Sequence, residues 1–370
     1  MTFELDHAKP HSIKKFEIIS EYADAWARKI LGFPKSEGIV YVDCMSNSGY
    51  YLDTDGNVVE GTAIRVAKRL NTLAENYPGK TVNIIFNDIN KEKIDYLKGQ
   101  IESLSLSNIS ITYYTMDCAE LLKRLNLKTI RNRNLLLVYD PFQARIHWDS
   151  LEKYLNFWGE VIINHMVSDT ARGAKTAVKP EKIAKYESTY RMPISEIKKI
   201  CDDREKLDNT VQGIVSDLVK DNSREHYLAS FPFYNRNNGL VYNLLHSTSN
   251  VEGFKLFKKT AWNVFGDKSS GKNTHGQENQ MAIDLDSGSL VASNTDYKCL
   301  TVTDIANYVY EKYSNKGKIE INEVYRDLDM HPIFPSEGYK DKIKKELKTY
   351  YPVKETKENG KRYFVFNQVI

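Results

Sequence analysis

The chain is short of the residues that several kinds of protein depend on. Its four cysteines, Cys44, Cys118, Cys201 and Cys299, are scattered, with no Cys-x-x-Cys pair. That spacing excludes a disulfide framework and a thiolate zinc site, and it suits free thiols in a reducing compartment. The longest apolar runs are strand-length, too short to cross a bilayer. Met1-Thr-Phe-Glu-Leu-Asp6 has neither a basic n-region nor an apolar h-region, so no secretory leader is expected and the location read from the sequence is cytoplasmic. A net charge of +3 across 370 residues does not by itself call for nucleic acid. No paired carboxylates stand with a histidine at metal-ligand spacing, so a metal hydrolase is a weak reading and no metal is expected.

What is present is a series of strand–helix units. Ile39 to Val42 is a β-branched apolar run that meets Asp43 and breaks into Ser46-Asn47-Ser48-Gly49. This is the pattern of a buried parallel strand leading into a tight loop, where open α/β sheets hold a nucleotide-like ligand. Thr81–Phe86 ends in Asn87-Asp88, and Ile109–Tyr114 leads to Asp117. Asp88 suits either a ribose diol or the N-cap of the next helix, and Asp117 either an adenine amino group or an N-cap. Asn134–Tyr139 is nearly all apolar and stops at Asp140-Pro141-Phe142-Gln143. A carboxylate followed by proline and an aromatic ring can bond an exocyclic amine while the ring stacks on the base. Amphipathic helices are expected over 11–31, 61–76, 91–104 and 119–125, and over 150–158 with Asp149 as cap. A fifth strand, Glu160–Met166, ends near His165, for which a structural role is the plainer reading.

Residues 168–225 turn polar and helical and read as an insertion or lid. Two strands, 227–233 and 240–246, joined by a turn at 235–239, close the sheet with an antiparallel edge hairpin. The fold class is therefore α/β, a mostly parallel Rossmann-like sheet. The expected divisions are 1–267 for this domain, 268–296 for a linker, and 297–370 for a separate winged-helix-like module of three helices and a hairpin. Its third helix, from 336 to 350, carries Lys340, Lys344, Lys345 and Lys348, which could face DNA or RNA. Equally, the module could dock a protein, with its lysines a solvated face.

The order strand–Asp–small loop, strand–Asp, strand–Asp, strand–Asp-Pro-Phe resembles S-adenosylmethionine-dependent methyltransferases. More closely, residues 10–265 resemble the three-Cys-motif partner protein family of bacteria and phages. The likeness lies in Tyr22 and Trp26, Tyr41-Val-Asp43, Gly49-Tyr50, Gly61-Thr-Ala, Asn87-Asp88, Asp140-Pro-Phe, and Leu244-Leu-His through Trp262. It implies a methyltransferase fold, S-adenosylmethionine as cofactor and a three-Cys-motif protein as partner. Asp43, Ser46, Asn47, Ser48, Gly49, Asp88 and Asp117 would hold the cofactor, with Asp140, Pro141 and Phe142 at the catalytic mouth. The chain departs from that family where a glycine-rich loop would follow Asp43, since only Gly49 remains, and again at Gln143. Two functions stay open: a methyltransferase acting on nucleic acid, or a catalytically silent descendant serving as a scaffold in a defence or mobile-element system.

Overall fold

The structure, a computed structural model, describes residues 3–130, 132–157, 159–219, 225–234, 239–270, 282–283, 290–291 and 299–366. The expected linker lies almost wholly outside the described residues, as do Trp158 and all but Gly239 of the hairpin turn.

Helix α1 (Pro10–Leu31) precedes β1 (Gly38–Asp43), every residue of which is buried. After the Ser46–Gly49 loop the chain forms a small hairpin, β2 (Tyr50–Leu52) with β3 (Val58–Glu60). The Asp53–Asn57 turn closes it, so the turn chemistry lies inside a strand pair. Then come α2 (Thr62–Ala74), β4 (Thr81–Asn87), α3 (Lys91–Ser103), β5 (Ser110–Tyr114), α4 (Cys118–Arg124) and β6 (Asn134–Tyr139). Helix α5 spans Trp148–Leu155, and its N-cap is His147, not Asp149. Asp149 lies inside the first turn, where its carboxylate is solvent-exposed and pairs with Arg191. Strand β7 (Gly159–His165) follows, then an insertion of four helices, α6 (Val167–Gly173), α7 (Pro180–Tyr190), α8 (Ile194–Ile200) and α9 (Arg204–Leu218). The edge hairpin is β8 (Tyr227–Tyr234) with β9 (Leu240–Thr248), and α10 (Val251–Val264) closes the unit.

The main sheet has seven strands in the order β5-β4-β1-β6-β7-β9-β8. Pairing is parallel from β5 through β7 and antiparallel at β7–β9 and β9–β8, which is the mostly parallel sheet with an antiparallel edge hairpin that the sequence leads one to expect. Side chains alternate between the faces. Ile39, Tyr41, Leu136 and Val138 pack with α1, α2 and α10, whereas Val40, Val42, Leu135 and Leu137 pack with α4, α5 and the insertion. The insertion belongs to this second layer, burying Tyr186, Tyr190, Ile197, Leu207 and Val211 there.

The last segment contains α11 (Val302–Tyr313), α12 (Ile321–Met330) and α13 (Lys340–Tyr350). Strand 353–358 pairs with 361–366, which also pairs with a short strand at 318–320 that the sequence did not reveal. Residues 336–339 precede the lysine helix and do not form its first turn. This segment is seated on α10. Lys258, only 2% exposed, donates to the carbonyls of Leu328 (3.1 Å), Asp329 (2.8 Å) and His331 (2.6 Å) at the carboxyl end of α12. Trp262 donates to the Ile333 carbonyl (3.0 Å), and Tyr339 donates to the side chains of Asn263 (2.7 Å) and Asp267 (2.9 Å).

Candidate functional site at the carboxyl edge of the sheet

Asp43 is the last residue of β1, and Asp88 and Asp140 directly follow the adjacent strands β4 and β6; each lies two residues beyond a core residue of the α1 face. The alternation that buries Tyr41, Phe86 and Val138 therefore turns all three carboxylates to one side of the sheet. Asp43 is buried and accepts the Met45 N–H at 3.2 Å. Burial, with the Asp140 carboxylate nearby, pushes its carboxyl group up to about 7.

Asp140 has a partner on each oxygen. The Lys15 ammonium of α1 is 2.5 Å from Oδ2, and Asn164 Nδ2 at the end of β7 donates to Oδ1 at 2.6 Å. Lys15 also stands 5.7 Å from the centroid of the Tyr242 ring and 5.8 Å from that of Phe16. Two polar atoms here are buried without a partner, the Tyr41 hydroxyl and Asn164 Oδ1. Each such group costs about 1–3 kcal/mol unless something bonds it, so a polar ligand or a water that reached this pair would be favoured. Pro141 is buried, whereas Phe142 stands out at 87% exposed.

The loop after β1 is occupied by its own side chains. Ser46 donates from its backbone N–H (2.8 Å) and its hydroxyl (3.2 Å) to the Asn87 carbonyl. Asn47 adopts a left-handed backbone at φ 57° and accepts the Ser48 N–H at 2.6 Å. Gly49 has φ 81°, and a Cβ there would come within 2.5 Å of Leu97 and 2.9 Å of Ile64, which explains the one glycine retained. Asp88 is not the cap of α3, because Asn90 is. Its oxygens instead accept the N–H groups of Asn47 (3.1 Å) and Asn90 (2.9 Å). Asp117 caps α4 through the Ala119 N–H at 2.8 Å.

An N-terminal strap lies over this loop. Ala8 and Leu52 exchange strand-like bonds with Leu52 and Asp6, and Phe3 stacks on Tyr96 of α3 at 4.4 Å. The Asp6 carboxylate accepts from Asn47 Nδ2 at 2.7 Å and pairs with Lys93. The S-adenosylmethionine fit is thus uneven. Around Asp43 the unpartnered Tyr41 and Asn164 atoms suit a polar amino-acid end, while at Asp88 an N–H of the chain already sits on each oxygen, leaving fewer acceptor sites for a ribose.

The remaining expected residues lie elsewhere. His165 points into the insertion layer, with Nδ1 2.7 Å from Asp208 Oδ1 and Nε2 3.0 Å from the Tyr190 hydroxyl. Gln212 and Asn243 complete the Asp208 shell, a fully bonded network that pins the insertion to β7 and β9. Lys340, Lys344, Lys345 and Lys348 are on α13, outside the three strand-end carboxylates. Sequence reading missed Lys15, Tyr41 and Asn164. Lys15 does occupy the apolar stripe of α1, four residues before Ile19 and seven before Tyr22, and a cation in such a stripe is a readable signal.

No protein-family model and no curated protein matches the sequence. Solved structures similar to the chain include an rRNA methylase from Streptococcus thermophilus (11% identity, 60% of this chain and 93% of that one, TM-score 0.30). Others are the precorrin-6y C5,15-methyltransferase from Geobacter metallireducens (10%, 60% and 85%, 0.28) and M. jannaschii TYW2 in complex with AdoMet (12%, 61% and 74%, 0.28). Scores this low say nothing of activity; the fold rests on the strand order itself. Among the described residues no helix is long and apolar enough to span a membrane, and no group of three or more His, Cys, Asp or Glu side chains could hold a metal.

Proposed function

We propose that the chain is an S-adenosylmethionine-dependent methyltransferase that acts on an amino group of a nucleic acid base. The observation that carries this is the convergence of Asp43, Asp88 and Asp140 on one side of the sheet's carboxyl edge, beside two unpartnered buried polar atoms and the projecting Phe142 ring. Asp43 would hold the amino-acid end of the cofactor, with the 46–49 backbone, Asp88 and Asp117 along its length. S-Adenosylmethionine, when bound, supplies an electrophilic methyl group. The chain's own task is alignment: Asp140 accepts a hydrogen bond from the amine, and Phe142 stacks on the base. Lys15 and Asn164 each take one site on the two Asp140 oxygens, which leaves the second lone pair of an oxygen for the amine.

A second reading has its own observation. Asn47, Ser48 and Asp6 fill the loop with internal bonds, as a catalytically silent descendant acting as a scaffold would allow. The last segment, helix–strand–helix–helix–hairpin, is read as a winged helix appended to the 1–267 domain. A three-Cys-motif protein is the partner that the family resemblance proposes. Transfer of radiolabelled methyl groups from S-adenosylmethionine to single-stranded DNA or RNA tests the enzyme. Incorporation that is lost in Asp140→Ala supports it, and no incorporation alongside intact nucleic-acid binding favours the scaffold.

A further inference from the structure

The two basic regions of the molecule differ in whether their charge is already spent. On α13, Lys344 and Lys348 both pair with Glu355, which also receives Arg362 at 3.8 Å. Lys342 pairs with Asp267 at 2.5 Å, and the Lys340 ammonium lies 5.1 Å from the centre of the Tyr325 ring. That pairing takes up Lys342, Lys344 and Lys348 and ties α13 to the hairpin and to the end of α10, leaving Lys340 and Lys345 without an ion pair among the described residues.

The carboxyl edge of the sheet is different. Lys123, Arg145, Arg172 and Arg204 form no ion pair among the described residues, and the first three are exposed. Arg145 follows the Asp140–Gln143 loop directly. Burial chiefly lowers His147 from its ordinary value, and Arg145 and Lys123 act on it in the same sense against Asp117 and Asp149, so both cations and both carboxylates are near that ring. On the other flank, Arg172 at the end of α6 is close enough to Arg204 to depress it further beyond the effect of burial. Arg204 donates to the Leu240 carbonyl (3.0 Å) at the start of β9, which runs antiparallel to β7 and so begins at this same edge. Asp117 and Asp149 are in the neighbourhood, yet no carboxylate reaches ion-pair distance of these four cations among the described residues, which leaves them free for an external anion. Three residues before Arg145 stands Phe142, the kind of exposed ring on which an unpaired base stacks.

Resting on the reading of this edge as a base-modifying site, we propose that single-stranded nucleic acid docks here and not on α13. Its phosphates lie along Lys123, Arg145, Arg172 and Arg204, and an unpaired base stacks on Phe142. A paired base keeps its faces inside the duplex stack, so the ring selects an unpaired or extruded one.

Fluorescence anisotropy of the full-length protein with labelled mixed-sequence oligonucleotides, without cofactor and over a range of salt, tests this. Parallel DNA and RNA arms identify which strand is bound. Lys123→Gln/Arg145→Gln/Arg172→Gln is expected to weaken binding at least about tenfold and to flatten the salt slope by about 2, at roughly 0.7 per lost phosphate contact. Phe142→Ala is expected to cost a further several-fold with the slope unchanged. Lys344→Gln/Lys348→Gln should cost less than either, and unfolding midpoints confirm that each variant folds. Wild-type affinity in the triple variant overturns the proposal, as does a larger loss from the α13 pair. Polyglutamate competing as well as the oligonucleotide overturns it too, in favour of an acidic protein partner. Tight docking with no methyl transfer counts against the enzyme and leaves the docking surface standing.

Discussion

Lys15, Asp43 and Asp140 share one small charged site, and its balance fixes how each behaves. Asp43 titrates at about 7 in the fold against an ordinary 3.8, with burial as the first cause and Asp140 the second. Between those values the folded chain keeps a proton that the unfolded chain has released, so stability falls as pH rises through the interval. Asp43→Asn should therefore melt a few degrees above wild type near about pH 8 and close to it near about pH 4. An equal offset at both pH values contradicts the assignment. Asn47 offers a second test at this scale. Its left-handed backbone suits glycine, and its amide holds the strap through Asp6. Asn47→Gly/Ser48→Gly should tighten S-adenosylmethionine binding about tenfold, measured by calorimetry; unchanged affinity shows that the loop side chains are no obstacle. The carboxylates were legible because each ends an apolar strand. Asn164 was less so, since a polar residue late in a strand reads equally as its end, and only strand order brings it beside Asp140.

Among the elements, α10 does most to join the parts of the chain. Burial draws the Lys258 ammonium down to about 7, Asp329 opposes that, and three carbonyls at the end of α12 receive its protons. Lys258→Met removes the ammonium that bonds those carbonyls, of which Leu328 keeps the His331 N–H, so urea denaturation should show a loss of about 1–3 kcal/mol. Wild-type stability or a gain shows that the clasp is not holding the terminal segment. The insertion depends on Asp208 in the same way. Asp208→Ala strips His165, Gln212 and Asn243 of an acceptor, which should speed amide exchange in α6–α9 while β1 and β4 stay protected. Apolar periodicity placed most of these helices and strands within a residue or two. It failed where local chemistry was ambiguous: Asp149 is a good cap by type, yet the backbone enters α5 two residues earlier, at His147. The strand at 318–320 is three residues long, too brief to show an alternation.

At the scale of the molecule, the mostly parallel sheet was readable because four strand–Asp units repeat in order, and the edge hairpin because two apolar runs flank an Asn-Arg-Asn-Asn-Gly turn. The filling of the ligand loop was not readable, since it depends on Asp6, itself paired with Lys93, reaching Asn47 from outside the loop. The same edge holds a cluster of carboxylates, a lysine that neutralises one of them, and an exposed ring. Those features meet in one activity only if the cofactor enters. Calorimetric titration of the full-length protein with S-adenosylmethionine and with its demethylated product is the most direct measurement. Saturable binding below millimolar concentration, lost in Asp43→Ala with the fold intact, is the result predicted. No heat of binding at millimolar ligand, in the wild type and in Asn47→Gly/Ser48→Gly alike, would contradict the account.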